Sequence, residues 1–150
     1  MQEKSLPELV RIVARHFLIA AVWADAPEGT HPRPTAQAVR MAECCAMEFV
    51  EDIGESSFRK ALHAFEVHGL HPDCGGEPAA AFGHDLYLTL SGHGAGFWDR
   101  DALDVPFGPV TLGTYLTDLC RGFRWHDPHG SGRLEFYRGW VYFRSPSGDY

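Results

Sequence analysis

At 150 residues with 45% hydrophobic composition, the chain is long enough to bury one core and too short for two ordinary domains. Its 13 basic and 20 acidic residues leave a net charge of −7, which excludes general phosphate-backbone binding, because that needs clustered Lys and Arg to displace counterions. The charge is uneven: residues 1–120 carry 8 basic and 17 acidic groups and residues 121–150 carry 5 and 3, so the C-terminal segment is the expected anion-facing part.

The opening MQEKSLPELV has neither the basic start nor the apolar run of a signal peptide, and no stretch approaches 18 uninterrupted apolar residues. A cytoplasmic chain without membrane contact is expected. Ser5 and Glu8 have capping-box spacing, and Leu9, Ile12, Val13, His16, Phe17 and Ala20 follow at helical intervals, predicting a first helix over 6–23 with His16 partly buried on its apolar stripe. Residues 25–34, with three prolines and a glycine, read as a surface connection.

Thr35 can cap a second helix with Val39, Ala42, Ala46, Phe49, Val50 and Ile53 on its apolar face. On its other face Glu48, Glu51, Asp52 and Glu55 form an acidic stripe with no basic residue between Glu43 and Arg59. A stripe of this kind is a solvated face, or a surface that meets a basic protein or mimics a phosphate row. Phe58, Leu62, Phe65 and Val67 predict a third helix ending at Gly69. His63, His68, His71 and Cys74 follow no standard zinc interval, and Cys44, Cys45, Cys74 and Cys120 form no CxxC pair, so reduced thiols and no metal are expected.

The densest stretch is 83–100, GHDLYLTLSGHGAGFWDR. Leu86, Leu88 and Leu90 alternate with Asp85, Tyr87 and Thr89 in the two-residue period of a half-buried strand, so residues 84–90 are predicted as a strand. Gly92, Gly94 and Gly96 then make a tight turn around His93, whose amides could form an anion nest. Two readings stand for the ionisable groups. In one, His93 is a general base, Asp85 or Asp99 orients it and His84 assists, the set of a small hydrolase-like enzyme. In the other, the imidazoles and carboxylates fix the turn, Phe97 and Trp98 plug the core, and Asp99 pairs with Arg100. No ligand set for a metal or cofactor is complete.

Past a proline-bearing loop over 101–109, Leu112, Tyr115, Leu116 and Leu119 predict a fourth helix within 110–123. A polar loop with His126 and His129 leads to a closing hairpin, 133–138 and 140–144, turning at Gly139, and then to a frayed tail. The expected fold is α+β: one domain over 1–150, with N-terminal helices packed on a small antiparallel sheet that ends in a C-terminal β-hairpin.

The stretch 83–100 resembles the signature GHD(F/L)(W/Y)LTx(N/S)GHGAGFWDR of a family of small uncharacterised proteins from bacteriophages and bacterial mobile elements. Ala21-Val22-Trp23 near the end of the first helix, and Glu43, Cys44, Cys45 and Phe49 on the second, are similar to the family too. After the arginine, Asp101-Ala102-Leu103 departs from the family's glycine-bearing segment. The resemblance implies the core fold and a phage or mobile-element accessory role. It transfers no reaction and no cofactor. With the acidic stripe and the incomplete catalytic sets, the expectation is a cytosolic protein that binds a host protein or complex through Glu48, Glu51, Asp52 and Glu55, for instance an inhibitor of a bacterial defence system. The small enzyme is the alternative.

Overall fold

The computed structural model describes residues 3–68, 77–128 and 133–148. Five helices stand among them with two small sheets. Helix α1 (Leu6–Asp25) starts where the Ser5 hydroxyl accepts the Glu8 amide, and the Glu8 carboxylate in turn receives the Ser5 hydroxyl. Helix α2 (Ala36–Ile53) starts where the Thr35 hydroxyl accepts the Ala38 amide at 3.0 Å. Both caps satisfy amides that a helix start leaves without internal partners. Helix α3 (Glu55–His68) follows after Gly54, whose φ of 89° turns the chain between the two helices.

Residues 84–90 are not a strand. They belong to helix α4 (Pro78–Leu90), opened by a proline at its start and three alanines, a sequence suited to a helix N-terminus. Every residue from Ala79 to Leu90 is buried, so this helix has no polar face to reveal a 3.6-residue period. The alternation arose because Asp85, Tyr87 and Thr89 are buried polar side chains with internal partners rather than solvent-facing ones.

Helix α4 runs alongside α1 in the same direction, with Gly83 at Val13, Tyr87 against Phe17 and the Tyr87 hydroxyl reaching Asp25. The seam is close: a β-carbon on Gly83 would stand 2.2 Å from the Val13 carbonyl oxygen. Around the other side of α4, Phe49, Phe58, Phe82, Phe97 and Phe123 form a continuous aromatic core, with Phe97 stacked on Phe49 and 5.0 Å from Phe82.

The C-terminal hairpin is present as β4 (Leu134–Tyr137) and β5 (Trp140–Phe143). Its two-residue turn, Arg138-Gly139, has φ of 49° and 86°, the double left-handed geometry that matches strand twist in tight hairpins. A short strand β1 (Arg33–Pro34), from the stretch read as a plain connection, joins β5 in parallel. The hairpin is fastened to α2: the Thr35 hydroxyl donates to the Val141 carbonyl, the Gln37 amide donates to the Phe143 carbonyl, and Gln37 Oε1 accepts from the Phe143 amide. A second, two-strand ribbon pairs β2 (Pro106–Phe107) with β3 (Val110–Thr111) ahead of helix α5 (Leu112–Gly122).

Candidate functional site

The turn after α4 is built by the helix itself. The Ser91 hydroxyl donates to the Tyr87 carbonyl, the Gly92 amide to the Thr89 carbonyl, and the His93 amide to the Leu88 carbonyl. The Phe97 amide donates to the Thr89 hydroxyl at 3.1 Å. The amides of Gly92 and His93 are thus directed back to α4 rather than out into a nest. Gly92 has φ of 77°, and a β-carbon there would press on the Pro128 carbonyl at 2.9 Å; at Gly96 it would meet Thr89 Oγ1 and the Trp98 ring at 2.5 Å. Gly94 differs, since it faces open space and needs no left-handed backbone.

His93 is brought to a residue that sequence reasoning placed in a surface loop. Its Nε2 lies 2.9 Å from Asp25 Oδ2 at the C-terminal end of α1, and the same oxygen accepts the Tyr87 hydroxyl. Burial, and next the Asp25 carboxylate, push the Tyr87 phenol well above its ordinary pKa, so it stays a hydrogen-bond donor. The side chains of Asp25 and His93 are 19% and 32% exposed, so the imidazole sits at the mouth of a partly desolvated carboxylate. His84, buried, packs its ring 5.7 Å from that of Trp23, which is 69% exposed.

Asp85, the expected partner of His93, belongs elsewhere. It is fully buried and holds Arg100 through both carboxylate oxygens at 2.8–3.0 Å. Arg100 therefore pairs with Asp85 and not with Asp99, which lies exposed in the 3-10 turn 97–99. Phe97 plugs the core as expected, but Trp98 does not: it is 45% exposed.

The acidic stripe divides into three environments. Glu48 accepts from the Trp125 indole at 2.7 Å and pairs with Arg124, a cation supplied from 76 residues away. Glu55 pairs with Arg59 one turn on, and Glu51 and Asp52 are exposed.

A second feature had no sequence signal. The outer side of α1, the start of α2 and residues 32–34 enclose an open groove of about 620 Å³ floored by Ala14, Leu18, Ile19, Val22, Pro34 and Val39. Val39, expected on the buried face of α2, is 39% exposed here, and Ala38 takes its place in the core; Ile19 is 49% exposed. Arg11, Arg15 and Glu43 stand on the walls.

As chemistry, the Asp25–His93 pair orients an imidazole as hydrolytic sites do. Among the described residues, however, no serine, threonine or cysteine hydroxyl or thiol is hydrogen-bonded to His93, so an attacking water would have to be recruited. No group of three His, Cys, Asp or Glu among the described residues could hold a metal ion; His71, Cys74 and His129 lie outside those residues. None of the helices in the described residues is long and apolar enough to cross a membrane. No family model, curated protein or solved structure matches the chain.

Proposed function

We propose that this chain is a phage or mobile-element accessory protein that works by binding a host protein, of the kind that disables a defence complex. The observation that carries the reading is the groove beside α1: an apolar trough, with Ile19 and Val39 exposed in its lining, on a chain of net charge −7. Large side chains left outside the core in one patch mark an interaction surface more often than scattered ones do. The resemblance of 83–100 to proteins of mobile elements supports the setting, and the use of that signature's residues within the fold supports binding over catalysis. Asp85 clamps Arg100, Thr89 holds Phe97, and Gly83, Gly92 and Gly96 fit close contacts.

The test is capture of a stoichiometric complex from host lysate by wild type, by Ile19→Asp/Val39→Asp and by Glu51→Gln/Asp52→Asn. Both substitution pairs lie on exposed positions, so folding should be retained. The groove variant should lose the complex. A complex that survives in it and is lost in the acidic variant would move the interface to the stripe.

A second reading rests on one specific observation, the Asp25–His93–Tyr87 cluster. On this reading the chain is a small hydrolase-like enzyme with His93 as general base and Asp25 orienting it. His93→Ala should then abolish the biological effect while leaving the captured complex unchanged. On the binding reading His93→Ala leaves the effect in place and lowers stability slightly.

A further inference from the structure

We infer that the occupant of the α1 groove is an acidic amphipathic helix of the partner, laid along α1 with its carboxylates at the Arg11–Arg15 end; the inference rests on the binding reading above. Three observations carry it. The first is length. From Arg11 to Val22 the groove follows α1 for twelve residues, a rise of about 16 Å at 1.5 Å per residue, which is three turns of a facing helix. The second is polarity. Along α1, Ile19 and Val22 make one end apolar, while Arg11 and Arg15, one turn apart on the same helix, make the other end cationic.

The third is that these arginines are uncommitted. In a chain with 20 acidic residues, neither forms an ion pair among the described residues, a state they share with Arg33, Arg40, Arg133 and Arg138; of these six, Arg11 and Arg15 are the two that line the groove. Among the described residues, Glu43 is the one carboxylate lining the groove. It leaves the local charge at +1, against −7 for the chain. Helix-in-groove recognition uses apolar anchors at i, i+3/i+4 and i+7 set into such a trough, with charges fixing the direction.

The probe is a fluorescein-labelled synthetic helix of about 15 residues, long enough to hold helical structure. It carries leucines at i, i+3, i+4 and i+7 and two glutamates beside one end of that stripe, and a twin carries lysines in their place. Fluorescence anisotropy should show the acidic peptide binding about tenfold more tightly than its twin, as two exposed charge pairs allow. Arg11→Glu/Arg15→Glu should reverse that order, and Ile19→Asp/Val39→Asp should abolish binding of both peptides.

Equal binding of the two peptides, or none of either up to about 1 mM, overturns the inference. So does dodecanoate occupying the groove without peptide binding, which would make it a small-amphiphile site. A concentration-dependent dimer lost in Ile19→Asp would assign the face to a second copy, with the same consequence. If the lysate complex depends on Ile19 and Val39 but the acidic peptide fails, the binding reading stands and the acidic helix does not.

Discussion

Replacing Gly83 with alanine tests the seam that brings Asp25, Tyr87 and His93 together. A β-carbon there would lie 2.2 Å from the Val13 carbonyl oxygen and 2.9 Å from its carbon, where ordinary contact begins at 3.4 Å. Both obstructing atoms are backbone, so no rotamer change relieves the clash, and α1 and α4 must part by about 1 Å against a core packed to crystal density. Overpacking of this sort costs about 3 kcal/mol at the upper end of its usual range. The gain of alanine over glycine inside a helix offsets about 1 kcal/mol. The net loss is about 2 kcal/mol, or roughly 4–8 °C in Tm for a chain of this size. Urea unfolding followed by far-UV circular dichroism measures it. Gly94→Ala is the internal control, since that position meets open space at ordinary φ and should change stability by no more than about 0.5 kcal/mol. A Gly83→Ala protein as stable as wild type, or a Gly94→Ala protein equally damaged, would refute the argument from the seam.

Asp85→Ala should cost about 3 kcal/mol in the same assay, because it removes the buried carboxylate to which Arg100, its side chain only 20% exposed, donates; Asp85→Leu combined with Arg100→Met should recover part of that loss, and no recovery would contradict the ion-pair account. Glu48→Ala should lose about 1–3 kcal/mol by leaving the buried Trp125 indole without its acceptor, whereas Glu51→Ala should be close to neutral. Cys44, exposed, should react with a thiol reagent in the native state. Cys45 and Cys120 should wait for unfolding, since burial pushes both thiols well above their ordinary pKa; fast labelling of either at pH 8 would contradict their placement.

Much of this fold was legible because several of its signals are local. The Ser5 and Thr35 caps, the helical spacing of α1 and the two-residue turn of the hairpin depend on neighbours a few residues apart. Helix α4 was misread for a physical reason. Periodicity reports a boundary between core and water, and a helix buried on all sides has none, so Asp85, Tyr87 and Thr89 mimicked a strand's polar face. The partners of the site lie further off still. Asp25 meets His93 across 68 residues and Trp125 meets Glu48 across 77, separations at which a single sequence carries no pairing signal. Glu48 thus looked like part of a free acidic stripe, although its countercharge arrives from the loop after α5. The groove was hidden in the same way, since Val39 falls on the apolar side of α2 by spacing and only the packing of α1 shows that it faces outward.

The seat of the proposed partner is the most direct point to test. Hydrogen exchange of the chain, free and in the complex captured from host lysate, measures that at peptide resolution. Slowed exchange in 11–22 and 32–43, with 48–55 and 91–99 unchanged, is the predicted result. Protection confined to 48–55, or to the turn around His93, would contradict it.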